Sequence, residues 1–169
     1  MVSCDDDDDD NKNGYDKETL ITEFDLDLDD DVLELCDVDV VVTDFDGNTR
    51  TVSMTLPDWK EKLSTTSFPA TCTYSVNITR KPDVTLTKAT YDLDAEISFE
   101  ADSYIGSKKT TVLPETDITL SAAENVPADQ LHTQLNRLIA TASFSRIDYT
   151  FTVNDAGQIT ATQNFHNGD

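Results

Sequence analysis

Alternation of apolar and polar residues is the feature that most limits what this chain can fold into. The segment ATYDLDAEISFE, residues 89–100, places apolar side chains at every second position over much of its length. Side chains two residues apart on a strand project to the same face, so this pattern indicates a strand with one buried face. Leu20–Leu28 and Cys72–Thr79 alternate in the same way. The chain is therefore predicted to be rich in β-structure.

Two hairpins are predicted from turn sequences between alternating segments. Asp46-Gly47 favours a tight turn with positive φ, which would join a strand at Val32–Thr43, containing one shift in register, to a partner at Thr49–Leu56. The sequence NDAG would join Arg146–Val153 to Gln158–Phe165 in a second hairpin near the end of the chain.

Proline guides the interpretation of two less regular segments. Pro57 is expected to end the preceding strand, which leaves residues 57–68 as a loop or a single helical turn. Pro114 is expected to separate two short strands, Lys108–Leu113 and Asp117–Leu120.

In one segment the spacing between apolar residues changes from two residues to three or four. Leu131, Leu135, Leu138 and Ile139 recur at the spacing of an amphipathic helix. Together the segments predict an antiparallel β-sandwich, immunoglobulin-like or similar, with one amphipathic helix; a β-barrel is the alternative. Residues 17–169 are predicted to form this single domain, and residues 1–16 an acidic tether.

Charge and the scarcity of histidine exclude several classes of function. The net charge of −22 repels nucleic acid and anionic lipid headgroups, so neither is an expected partner. The chain has two histidines, and neither has a nearby nucleophile or a second histidine at ligand spacing. With no catalytic motif, the chain is expected to act without catalysis, metal or cofactor.

An acidic stretch, DLDLDDD, begins at Asp25 and partly matches a calcium-binding loop. It departs from that pattern because Asp30 replaces the required glycine and Cys36 stands where the bidentate glutamate belongs. The alternating aspartates are therefore interpreted as the solvent face of a strand.

The N-terminus carries a cysteine followed directly by six aspartates. The stretch CDDDDDD resembles the export signal of Bacteroidota-type surface lipoproteins, and MVS before it resembles the end of a lipobox. This resemblance implies lipidation at Cys4, a membrane partner through that lipid anchor, and an exposed position on the outer membrane. The implied export signal consists of Asp5, Asp6, Asp7, Asp8, Asp9 and Asp10.

The remaining cysteines, Cys36 and Cys72, form an even pair. Each shares its strand parity with apolar residues, so both thiols are predicted to point to the buried face. A disulfide between them is one interpretation, and two buried free thiols are the other.

The leading functional interpretation is a non-catalytic surface lipoprotein that serves as a binding or accessory module, with a glycan or an envelope protein as partner. Trp59 and Tyr104 are the candidate ligand contacts, because an exposed aromatic ring can stack on a sugar. A structural role for Trp59, covering one end of the sandwich beside Leu63 and Phe68, is favoured over contact with a ligand. An adhesin-like subunit that uses its edge strands as interfaces is the alternative, and a glycoside hydrolase with two carboxylates is a third hypothesis without a specific motif.

Overall fold

The computed structural model of the chain describes residues 15–143 and 145–166. Nine strands and two helices lie within these residues. In chain order they are β1 (Tyr15–Leu28), α1 (Asp30–Leu35), β2 (Cys36–Thr43), β3 (Thr49–Ser53), β4 (Asp58–Thr65), β5 (Ala70–Arg80), β6 (Thr90–Gly106), β7 (Lys108–Pro127), α2 (Leu131–Ser143), β8 (Arg146–Val153) and β9 (Ile159–His166).

The strands form two antiparallel sheets. Sheet A has the order β4-β1-β6-β7, and sheet B has the order β3-β2-β5-β8-β9. In β1, β2, β5, β6 and β8 the alternating apolar residues lie on the face turned towards the other sheet. The predicted sandwich is confirmed, and the alternative of a closed barrel is wrong, because the described strands form two separate open sheets.

Aromatic rings join the two sheets across the interior. Phe24 of sheet A stacks on Tyr74 of sheet B with ring centroids 4.3 Å apart. Phe99 of sheet A stacks on Tyr149 of sheet B at 3.7 Å. All four residues are almost fully buried, so their contact area contributes a large share of the apolar surface removed from water.

Helix α2 covers part of this core, as its period predicts. Leu131, Leu135, Leu138 and Ala142 are buried, and the helix packs against β5 and β7. Residues on its other side are exposed, which is the pattern of a surface helix with one apolar stripe.

The predicted strand at Val32–Thr43 is wrong in its first part. Asp30–Leu35 is the short helix α1, and β2 begins only at Cys36. Val32 and Leu35 are three residues apart and both buried, which suits one helical face. The apparent shift in register within a single strand is therefore the junction between a helix and a strand.

The segment predicted as a loop or helical turn is instead the strand β4. Trp59 and Leu63 are four residues apart, a spacing that places side chains on one face of a helix and equally on one face of a strand. Pairing with β1 over its whole length selects the strand.

Pro114 does not divide its segment into two strands. β7 runs continuously from Lys108 to Pro127, although its pairing with β6 contains several shifts in register. It lies at the edge of sheet A, where a missing backbone N–H need not face a partner strand.

Several strand ends also differ from the predicted bounds. β1 begins at Tyr15, inside the predicted tether of residues 1–16, and β6 extends beyond Glu100 to Gly106. β3 ends at Ser53 instead of Leu56. The hairpin turn at Gly47 is confirmed, with a φ of 82° that glycine adopts without strain.

Candidate binding site

The outer face of sheet A carries two adjoining surface clefts, of about 490 and 440 Å³. Asp27, Asp58 and Glu96 line both of them, and we call the combined site the acidic cleft. Its other charged and polar lining residues are Asp25, Asp29, Asp30, Lys60, Asp94, Ser98, Glu115, Asp117, Thr119 and Ser121.

Strand alternation places these carboxylates on one surface. In β1 the buried Leu26 and Leu28 flank Asp27, whose side chain therefore points away from the core. In β6 the buried Ala95 separates Asp94 from Glu96 in the same way. Because β1 and β6 are neighbours, with Asp27 directly opposite Glu96, their outward carboxylates come together.

Asp27 and Asp58 interact directly in the acidic cleft. They lie directly opposite each other in the β1–β4 pair and share a hydrogen bond. Burial raises the pKa of Asp27, and the hydrogen bond and charge of Asp58 raise it further. A proton is therefore held more readily here than on an isolated aspartate.

The pKa values of two more carboxyl groups at this end of sheet A are also raised. Burial, followed by the charge of Glu124 and a hydrogen bond to it, raises the pKa of Asp94. Burial also raises the pKa of Asp29, with a further contribution from the charges of Asp92 and Asp94. Asp94 Oδ1 is buried and makes no hydrogen bond to any described residue. This end of the cleft is thus the site of unrelieved negative charge.

Lysines neutralise the opposite end of the same face. Lys60 forms ion pairs with Glu23 and, at 3.2 Å, with Asp25, and Lys62 reaches Glu23 at 2.6 Å. Hydrogen bonds from these two lysines lower the pKa of Glu23. Among the described residues, Lys60 thus pairs with Asp25 at one end of the cleft, whereas no ion pair with a lysine or arginine reaches Asp29 or Asp94 at the other.

Trp59 lies in β4 opposite Leu26 and is one of the residues that line the acidic cleft. It is partly buried, and its ring meets Phe24 edge to face with centroids 5.8 Å apart. The predicted structural role is thus present, because the Trp59 ring packs on the core, although from a strand and not from a loop at one end. Its ring lies on the inner face of β4, whereas the neighbouring Asp58 and Lys60 point outward into the cleft, so contact between Trp59 and a ligand stays a prediction.

Tyr104 lies elsewhere, and the structure does not bring it together with Trp59. It is on β6 opposite Thr19 of β1, whereas Trp59 is aligned through Leu26 with Ile97. The seven residues from Ile97 to Tyr104 correspond to about 23 Å along the strand. Tyr104 is not among the residues that line the acidic cleft.

Cys36 and Cys72 are both buried free thiols. Cys36 pairs with Arg80 of β5, eight residues along the same strand from Cys72, so the two cysteines are about 26 Å apart. The disulfide interpretation is wrong, and the free-thiol alternative describes the structure. Burial raises the pKa of the Cys72 thiol to about 12, which keeps it protonated and unreactive at neutral pH.

The outer face of sheet B differs in chemistry from that of sheet A. Hydroxyl groups form cross-strand pairs on it, as between Thr71 and Thr150 at 3.4 Å and between Thr152 and Thr160 at 3.1 Å. The threonines that alternation directs to this face include Thr43, Thr49, Thr51, Thr71, Thr73, Thr79, Thr150, Thr152, Thr160 and Thr162. Most of the outward negative charge is therefore on sheet A.

Cys4 and the run Asp5–Asp10 lie outside the described residues. Among the residues that the structure describes, no helix is long and apolar enough to cross a bilayer, and no group of three or more carboxylate, imidazole or thiol side chains is arranged to hold a metal ion.

Comparison with known proteins adds no family to this description. No family model matches the chain, and no curated protein matches it. The acidic cleft is therefore identified by its geometry. Sequence reasoning placed the alternating aspartates on a solvent face but did not identify Asp58, Asp94 and Glu96 as one site. These three residues are brought together by the order of strands in sheet A, which a local sequence pattern does not show.

Proposed function

We propose that this chain is a non-catalytic, lipid-anchored binding module of the outer membrane surface, and that its acidic cleft binds a glycan. The observation that carries the proposal is the cleft itself, a concave site on the outer face of sheet A that offers carboxylates, hydroxyls and Lys60. Ligand sites in proteins are concave and use a small number of polar groups to fix the orientation of the ligand.

The chemistry of the lining selects a class of glycan. Carboxylates such as Glu96 and Asp117 accept hydrogen bonds from sugar hydroxyls, and the Ser98 hydroxyl both donates and accepts. The surplus of negative charge repels uronic acids and sulfated sugars. The expected ligand is therefore a neutral glycan or one that carries amino groups.

The position of the cleft along β1 suits a protein anchored at its N-terminus. Cys4 precedes the start of β1 at Tyr15 by eleven residues, and Asp27, at the cleft, lies near the other end of the same strand. The twelve residues from Tyr15 to Asp27 correspond to about 40 Å. An anchor at Cys4 would thus attach to the end of the sandwich far from the cleft, leaving the cleft directed away from the membrane.

Two pairs of carboxyl groups at or beside the cleft lack the spacing that hydrolysis of a glycosidic bond requires. Asp27 and Asp58 share a hydrogen bond, whereas the two carboxyl groups that flank a scissile glycosidic bond are separated by about 5–9.5 Å. Asp94 and Glu124 are also in hydrogen-bonding contact. Each of these pairs is too close to place a sugar between its members.

Affinity electrophoresis of the full chain tests the proposal. Gels would contain neutral polysaccharides, a polysaccharide with free amino groups, or anionic ones such as heparin. We expect retardation by at least one neutral or amino polysaccharide and by none of the anionic ones. Retardation by none, or by anionic polysaccharides only, would overturn the proposal.

Matched variants locate the binding. Glu96→Gln and Asp117→Asn change the cleft lining, whereas Asp155→Asn removes the same charge from an exposed turn between β8 and β9. Trp59→Phe keeps an aromatic ring against Phe24 on the inner face of β4 and serves as a second control. We expect the two cleft variants to lose retardation while Asp155→Asn and Trp59→Phe keep it, with thermal unfolding as the check on folding.

The anchor is tested separately, in the organism that makes the protein. Cys4→Ser should release the chain from the membrane fraction, because acyl chains provide the anchoring free energy. Replacing the six aspartates of Asp5–Asp10 with asparagine should leave the chain in the membrane but protect it from protease added to intact cells. Unchanged fractionation and protease sensitivity in both variants would refute the anchored location.

A further inference from the structure

β9 differs from the other three edge strands in lacking protection against pairing with another strand. An edge presents unpaired backbone N–H and C=O groups, and proteins commonly block it with charges, proline, bulges or short length. β3 has five residues and carries Arg50, and β4 carries Asp58, Lys60, Glu61 and Lys62. β7 contains Pro114, several charged residues and repeated shifts in register.

β9 has none of these features. Its sequence, ITATQNFH, has eight residues and contains no proline, glycine, lysine, arginine, aspartate or glutamate. Its pairing with β8 runs without a shift in register from Val153↔Ile159 to Arg146↔His166. Among the described strands β9 is paired with β8 alone; part of β9 also lies close to β7 of sheet A, but the two strands are not paired.

An apolar side chain is exposed on this edge strand. Phe165 on β9 is 56% exposed. A neighbouring strand would remove part of this apolar surface from water while pairing the free backbone groups of β9.

We propose that β9 is a self-association edge, on which β9 of a second copy of this chain pairs in antiparallel orientation to join the two B sheets. The argument for a second copy is charge. Each chain has a net charge of −22, so most pairs of surfaces from two copies repel each other. Between Ile159 and Phe165 every register of two β9 strands brings together only uncharged side chains.

The chemistry of β9 is also self-complementary. Thr160, Thr162 and Asn164 are exposed on its outer side, and threonine pairs across neighbouring strands are favourable. One eight-residue strand from each copy is a small interface, so the association is expected to be weak and reversible. Salt should strengthen it by screening the repulsion between the two chains.

Sedimentation velocity of the full chain tests the inference. We expect a single species of 18.7 kDa when the protein is dilute, and conversion towards twice that mass as concentration and sodium chloride are raised. A chain that stays at 18.7 kDa under all these conditions would overturn the inference.

Two variants that each add one negative charge distinguish an interface at the edge strand β9 from an interface on the outer face of sheet B. Thr162→Asp places like charges opposite each other at the proposed interface and should weaken self-association by about fivefold or more. Ser75→Asp adds the same charge to the outer face of sheet B on the interior strand β5 and should leave it unchanged. Association that is unaffected by Thr162→Asp, or reduced equally by both variants, contradicts pairing at β9.

Hydrogen exchange provides a readout that does not depend on a variant. In the wild-type chain, backbone amides of residues 159–165 should become more protected as concentration rises, while those of the edge strand β4 should not change. Protection confined to β4 or to the outer face of sheet A would assign the contact elsewhere and overturn the inference.

Discussion

Tyr74 and Tyr149 occupy similar places in the core but differ in the state of their hydroxyl groups. Both side chains are almost fully buried, and each ring stacks on a phenylalanine of sheet A. The Tyr149 hydroxyl accepts a hydrogen bond from Gln163 Nε2 at 3.2 Å. The Tyr74 hydroxyl lies beside the Thr22 hydroxyl and the Cys72 thiol, but neither contact has the geometry of a hydrogen bond, so this buried hydroxyl has no well-formed partner among the described residues. Removing the two hydroxyls should therefore change stability in opposite directions.

The magnitudes follow from the two environments. A buried hydroxyl without a hydrogen bond costs about 1–3 kcal/mol, so Tyr74→Phe, which keeps the stacked ring, should stabilise the fold by about 1 kcal/mol. Tyr149→Phe loses one hydrogen bond and should destabilise it by about 1 kcal/mol. The two variants should differ by about 2 kcal/mol, and their Tm values should lie about 2–4 °C above and below that of the wild type.

Urea unfolding of the full chain and both variants measures these differences, with circular dichroism as the signal. The slope of the free energy of unfolding against urea should be the same for all three proteins, because the surface exposed on unfolding does not change. Destabilisation of Tyr74→Phe by as much as Tyr149→Phe would mean that the Tyr74 hydroxyl is hydrogen-bonded in solution, and the reasoning from its burial would be refuted.

Two further predictions concern titration and thiols. The pKa of Asp27 is raised in the folded state, so the folded protein binds a proton more readily than the unfolded chain. The repulsion between Asp27 and Asp58 therefore lowers stability at a pH above the folded-state pKa of Asp27, and has no such effect at a pH below the pKa of Asp27 in the unfolded chain. Asp58→Asn should accordingly stabilise the fold at neutral pH and lose that advantage as the solution is acidified; chemical denaturation across pH checks this, and a gain independent of pH would contradict it. Cys36 and Cys72 should be unreactive towards a thiol reagent in the folded protein and both titrate after unfolding without reductant, whereas reactivity only after reduction would indicate a disulfide.

Much of the fold could be predicted from local pattern. The alternation that includes Cys36, Val38 and Val40 correctly gave their buried face, and the period of Leu131 and Leu135 correctly gave a helix. Turn sequences correctly located both hairpins. In each case the deciding physical property, side-chain direction or turn conformation, is set within a few residues.

The predictions are wrong where one sequence pattern fits two structures, and the site is missed because it depends on strands that are distant in the sequence. A helix as short as α1 spans too few residues to show a period, so Val32 and Leu35 were assigned to a strand. Trp59 and Leu63 suit a helix and a strand equally, and the strand forms because β1 offers a partner. The acidic cleft needs the neighbours β4, β1, β6 and β7, which no local pattern specifies.

Fluorescence of Trp59 tests the central claim, that the acidic cleft is a glycan site, most directly. Trp59 is the only tryptophan in the chain and lies between Asp58 and Lys60, which line the cleft, so its emission reports on this part of β4 while neutral and amino polysaccharides are titrated into the full protein. The account predicts that at least one polysaccharide changes the emission in a saturable manner and that Glu96→Gln weakens the response. Constant emission with every polysaccharide, including any that retards the protein in a gel, would contradict it.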